Sequence, residues 1–94
     1  MPEMHLCQRS EINVREVDDE TVIVDKVTGE VHQLNSTASY IWEQFSTNNT
    51  IDSVIEAFAQ DFKIDPPQAR SDVNAVVDKL KSLKLLVVYE HTGV

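Results

Sequence analysis

Glu30-Val31-His32-Gln33-Leu34-Asn35-Ser36-Thr37-Ala38-Ser39-Tyr40-Ile41-Trp42 changes period in its middle. Up to Leu34 it reads as a strand. At Asn35 it meets a good helix N-cap, with Ser36 as a second candidate. Beyond that, Ala38, Ile41, Trp42 and Phe45 fall at i, i+3, i+4 and i+7, the stripe of an amphipathic helix. Working upstream, Thr21 to Asp25 is β-branched and apolar, which favours a strand. The stretch Lys26-Val27-Thr28-Gly29 links it to the Glu30 strand, and Gly29 can take the positive φ of a bulged hairpin. Before it, Ile12 to Val17 alternates as a half-buried strand does, and Asp18-Asp19-Glu20 forms a polar turn. Downstream, Ser46-Thr47-Asn48-Asn49 ends the first helix and Thr50 caps a second, with Ile51, Val54, Ile55, Phe58 and Phe62 in helical register. Asp65-Pro66-Pro67 opens a third, whose apolar stripe is Ala69, Val73, Val76, Val77, Leu80 and Leu83. Leu85 to Tyr89 is a short strand or an apolar tail docked on the core. The expected fold class is α+β and winged-helix-like: a three-stranded antiparallel meander followed by three helices. Trp42, Phe45, Ile55, Phe58, Val76 and Leu80 are its expected core. The expected organisation is one domain over residues 1–94, with a core of about 12–88 and a loose arm over 1–11.

Composition narrows the function. The 94 residues carry 16 acidic and 8 basic side chains, a formal charge of −8. A phosphate backbone requires clustered Lys and Arg, so the balance argues against nucleic acid and against an anionic membrane surface. Lys79, Lys81 and Lys84 do cluster, at a place where a helix C-terminus favours cations anyway. Cys7 is the single cysteine, which suits a reducing compartment. Met1-Pro2-Glu3-Met4-His5-Leu6 has no basic region followed by an apolar run, and no apolar stretch approaches the ~20 residues of a membrane span. The expected location is the cytoplasm.

Chemistry is sparse. There is no P-loop and no Gly-x-Gly-x-x-Gly, and two glycines in the whole chain leave little backbone to cradle a phosphate. His5, Cys7, His32 and His91 lack the paired spacing of a zinc site. Asp18, Asp19 and Glu20 are too few for a calcium cage and read as a solvated turn. Trp42 shares a face with Ala38 and Phe45, so it is core rather than a stacking platform. The expectation is a non-enzyme with no cofactor and no metal. One feature does point to binding. The third strand ends the meander and carries one charge, at Glu30, and no proline to blunt its edge. Such an edge accepts an extended peptide as an added strand. Cover from the third helix or from the N-terminal arm is the alternative, and the sequence leaves the two open.

The run Leu34-Asn35-Ser36-Thr37-Ala38, followed by Ile41-Trp42, resembles the Leu-Asn-x-Thr-Ala…Ile-Trp signature of PqqD-like proteins, also called RiPP recognition elements, which serve ribosomally made, post-translationally modified peptides. The resemblance takes in Val22-Ile23-Val24-Asp25…Thr28-Gly29 upstream. Downstream it takes in Ile51…Val54-Ile55, Asp72-Val73 and Leu80…Leu83-Lys84-Leu85-Leu86, about residues 12 to 88 in all. Two turns depart from the pattern. Lys84 stands where the family often has Gly, and Thr47-Asn48-Asn49 stands where it often has Asp-Gly. The departures bear on turn geometry and point to a divergent member rather than the pyrroloquinoline quinone protein itself. The resemblance implies non-catalytic binding of the leader segment of a precursor peptide, presented to a maturation enzyme, often a radical SAM protein. It implies that the leader adds to the third strand at Glu30, Val31, His32, Gln33 and Leu34. The cleft wall would then come from Ala69, Arg70, Val73, Asn74 and Val77 of the third helix. The rival readings are a winged-helix nucleic-acid binder, disfavoured by charge, and a general protein–protein adaptor.

Overall fold

A computed structural model describes residues 4–89. The elements are β1 (His5–Gln8), β2 (Ile12–Val17), β3 (Glu20–Asp25), β4 (Val31–Leu34), α1 (Ser36–Glu43), β5 (Asn49–Thr50), α2 (Ile51–Phe62), α3 (Pro66–Ser82) and β6 (Leu86–Tyr89). The chain is α+β, and β2, β3 and β4 form the expected antiparallel meander in that order. The β2–β3 register runs from Ile12 opposite Asp25 to Val17 opposite Glu20, so the turn is Asp18-Asp19 alone and Glu20 belongs to the strand. Asp18 takes φ 58°, the positive value that a two-residue hairpin demands and that Asp tolerates better than most residues. Gly29 takes φ 80°, as the β3–β4 link requires.

The helix boundaries follow their caps. Asn35 Oδ1 accepts the Ala38 N–H at 2.8 Å and Thr50 Oγ1 accepts the Ser53 N–H at 3.1 Å. Asp65 occupies the cap position of α3 without a side-chain bond. With Pro67 at the second helical position, one of the two N–H groups a cap side chain can bind is missing. Phe45 lies past the end of α1, in a tightened turn where Phe45 N–H donates to Trp42 O at 3.1 Å, and its ring is still fully buried. Trp42, Phe45, Ile55, Phe58 and Leu80 form the core with Ile41, Val54, Val73 and Val77. Val76 departs from expectation: it is half-buried at the core's margin, because α3 turns Val73, Val77 and Leu80 inward.

The loose N-terminal arm is overturned for the residues described. Met1, Pro2 and Glu3 lie outside them, but His5–Gln8 is the central strand of a second sheet, ordered β5-β1-β6. Four residues of β1 pair with β6, from His5 opposite Tyr89 to Gln8 opposite Leu86, and two pair with β5. Leu6 is 0% exposed. The C-terminal segment is therefore a strand, held by the N-terminal one.

Both departing turns have a physical account. Residues 46–49 take no positive φ; Asn49 and Thr50 are extended and bonded to β1. Lys84, in contrast, takes φ 61°. It closes α3 through Lys84 N–H to Lys81 O at 2.9 Å and Leu85 N–H to Leu80 O at 2.9 Å, with Leu80 and Leu85 packed in the core. This is the Schellman arrangement, where glycine is favoured. A Cβ in that conformation costs energy, so Lys84→Gly should raise unfolding free energy by about 1 kcal/mol. Urea denaturation measures it; an unchanged or lowered midpoint would show that residue 84 is not left-handed in solution.

Candidate functional site

The site begins with the open side of β4. Asp25 N–H donates to Glu30 O at 2.8 Å, which makes Asp25 and Glu30 a hydrogen-bonded pair. Such pairs alternate along an antiparallel ladder. From the register, Ile23 with His32 and Thr21 with Leu34 are the next bonded pairs, while Val24–Val31 and Val22–Gln33 are not. The N–H and C=O of Val31 and Gln33 therefore point away from β3, at a sheet edge where no further strand pairs among the described residues. The N-terminal strand is committed to the other sheet, and α3 packs chiefly on α2, α1 and β6. Neither element that might have covered this edge does so.

Side chains divide by face. Val31 is 64% exposed and Gln33 is exposed, where its Nε2 donates to Glu20 Oε1 at 2.7 Å. Leu34 is buried with Ile23 on the opposite face, where Leu34 O also accepts the Ser39 hydroxyl at 3.2 Å. His32 is half-buried on that face too, with Nε2 buried and unpartnered. Glu30 is exposed just before the strand. The five α3 positions do not behave as one wall. Ala69, Val73 and Val77 are the helix's core face and offer no surface to a ligand in this conformation. Arg70 and Asn74 are exposed, and Arg70 Nη1 lies 3.6 Å from Asp52 Oδ1 on α2. α1 lies between the two halves of the expected site, packing on β4 on one side and on α3 on the other.

Two features escaped sequence reasoning. The first is the ion pair between Arg9 and Asp25, 2.7 Å apart. Asp25 is 2% exposed, and the same Oδ1 accepts the N–H groups of Val27 at 2.8 Å and Thr28 at 3.2 Å. The Arg9 bond chiefly holds the Asp25 carboxyl well below the usual carboxylate range, helped by those two amides and opposed by burial. The second is an acidic cavity of about 470 Å³ between the β2–β3 turn and α1. There Glu43 is raised above its ordinary value, first by its hydrogen bond with Glu16, then by loss of water, then by repulsion from Glu16. Burial and the Asp61 carboxylate push Tyr40 up to about 12, so it remains a phenol donating to Asp61. No sequence signal pairs Arg9 with Asp25, sixteen positions apart. His5 Nδ1 meets Asn48 Oδ1 at 2.9 Å, and His91 lies outside the described residues. Among the described residues no three His, Cys, Asp or Glu side chains group at metal-binding distance, and no helix is long and apolar enough to cross a membrane.

The profile of the family described as Coenzyme PQQ synthesis protein D (PqqD) matches residues 20–86, which include β3, β4 and all three helices. This chain belongs to the PqqD family. No curated protein matches it. Among solved structures, TbiB1 in complex with the TbiA(beta) leader peptide superposes with a TM-score of 0.80 at 21% identity, covering 90% of this chain and 99% of that one. A lasso peptide synthetase B1 complexed with the leader peptide gives 0.76 at 27% identity, covering 87% and 96%. The PqqD fold is thus shared along almost the whole of both chains. In this PqqD-family member the segment before the matched region is also structural, since Leu6 and Arg9 both belong to the folded unit.

Because the folded Asp25 carboxyl titrates below its ordinary value of 3.8, its stabilisation is present above that value and is lost as pH falls through the lower, folded one. Asp25→Asn should be less stable than wild type at pH 7, and the gap should narrow as pH falls below about 4. Urea midpoints for both proteins across that range check this; a gap independent of pH would contradict it.

Proposed function

We propose that this chain is a non-catalytic recognition module, a single peptide-binding domain of the cytoplasm working without cofactor or metal. It binds the leader segment of a ribosomally made precursor peptide by strand addition to β4, then presents it to a maturation enzyme of the radical SAM class. The observation that carries the reading is the backbone of Val31 and Gln33, turned outward at an edge that no other element covers among the described residues. Main-chain bonds at such an edge supply affinity in a register-tolerant way, and neighbouring side chains supply selectivity. Membership of the PqqD family and likeness to two proteins described in complex with leader peptides support it. In this reading Glu30, Val31, His32, Gln33 and Leu34 form the binding edge. Of the five expected α3 positions, Arg70 and Asn74 are available to a ligand, while Ala69, Val73 and Val77 hold that helix in place from within the core.

The alternation along β4 yields a test with opposite outcomes at adjacent positions. Val31→Pro removes an outward N–H and obstructs strand addition, a change edge strands tolerate. It should leave the melting temperature near wild type and weaken peptide binding about tenfold or more. His32→Pro removes a bond to β3 and should cost roughly 1–3 kcal/mol of stability. Calorimetric titration with synthetic peptides covering precursors encoded beside the gene, together with thermal melts, separates the two. Equal binding by wild type and by folded Val31→Pro would place the site elsewhere.

A further inference from the structure

The acidic cavity lies at the Leu34 end of β4, on the β3 side of that strand. Thr21, in its wall, is paired with Leu34 at the end of β4, and Glu20, on its rim, is bonded to Gln33. Glu16, Asp18, Asp19, Glu20 and Glu43 bring five carboxyl groups to it. Among the described residues the ion pairs are Arg9–Asp25 and Arg70–Asp52, so no Lys or Arg nitrogen lies within 4.0 Å of any of the five. The cavity also holds an unanswered polar group. Thr21 is 1% exposed and its Oγ1 is buried without a hydrogen-bond partner. That oxygen keeps lone pairs with no donor on them. Aromatic surface completes the lining: Phe62 is 43% exposed and meets Tyr40 edge-on with ring centroids 5.1 Å apart.

These groups select among cations. A compact metal ion needs carboxylates converging on one point, and no three of them do so. A planar, delocalised cation with several donors matches spread carboxylates, a lone hydroxyl acceptor and an aromatic face. Lysine offers a point charge without the planar stacking surface. We infer that this cavity is a guanidinium site, taking an arginine side chain of the bound peptide where that peptide continues past Leu34. The identity of the peptide rests on the leader-binding reading above. For a strand added antiparallel to β4, the arginine precedes the paired segment. Glu43, raised above its ordinary value by its hydrogen bond with Glu16, by burial and by repulsion from Glu16, gains a counter-charge when the guanidinium enters.

The test uses the full chain, isotopically labelled, titrated with N-acetyl-arginine methylamide and with its neutral isostere N-acetyl-citrulline methylamide. Saturable amide shifts at Thr21, Ser39 and Glu43 are expected with arginine and absent with citrulline. Asp19→Asn and Glu43→Gln, both at exposed positions, should each weaken the arginine interaction roughly three- to tenfold, while Glu56→Gln, outside the cavity lining, leaves it unchanged. Equal shifts with both probes, no saturable shift, or displacement of arginine by millimolar calcium would overturn the guanidinium site. A second titration uses the precursor peptide that binds β4, with its arginine before the paired segment replaced by glutamine. A three- to tenfold loss supports the proposal. Unchanged affinity there, with binding still abolished by Val31→Pro, would sink the arginine site and leave leader binding standing. Arginine-amide binding with no precursor peptide engaging β4 would do the reverse: the pocket would stand and leader binding fail.

Discussion

The Asp25 carboxylate holds together the part of the molecule on which everything else depends. One oxygen gathers the Arg9 guanidinium and the N–H groups of Val27 and Thr28 in a nearly dry position. The two amides fix the link between β3 and β4. The guanidinium ties that link to the segment leaving β1, so both sheets share one anchor. Removing the Arg9 charge would leave the Asp25 carboxylate buried without its counter-charge, a situation more costly than never having had the pair. The Asp25–Glu30 backbone bond beside it sets the phase of the β3–β4 ladder. That phase decides which residues of β4 turn their backbone outward.

The functional geometry follows from that phase. An edge strand that faces solvent is a hazard that proteins usually suppress with charge, proline or a covering element. Here Val31 and Gln33 remain open, and the two elements able to cover them are engaged elsewhere: β1 between β5 and β6, α3 against α1 and α2. The acidic cavity at the Leu34 end then adds charge selectivity to an edge whose backbone bonds are indifferent to side-chain identity. Five of the sixteen acidic side chains behind the net charge of −8 gather at this cavity.

Local signals made much of this legible in the sequence. Asn35 marks the switch from strand to helix, Gly29 marks the hairpin, and Thr50 and Asp65 mark the later helix starts. The edge candidate Glu30 to Leu34 also came from local pattern. What stayed hidden depends on long-range geometry. His5–Gln8 is too short to show a period, and its partner is Leu86–Tyr89 at the far end of the described chain. The apolar stripe of α3 showed that Ala69, Val73 and Val77 would be covered, but it carried no information on whether core or cleft would cover them. The acidic cavity draws on β2, the hairpin turn and α1, so no single stretch displays it. Lys84 was legible as a departure, and the structure supplies its meaning: a side chain held where glycine belongs.

Residue-resolved hydrogen exchange on β4 tests the central claim most directly, with and without a synthetic peptide spanning the leader of a precursor encoded beside the gene. In the free chain the amides of His32 and Leu34 should be protected by β3, and those of Val31 and Gln33 should exchange freely. Adding the peptide should protect Val31 and Gln33 selectively. Protection of Val31 and Gln33 in the free chain, or peptide binding that leaves both of them unprotected, would contradict strand addition at this edge.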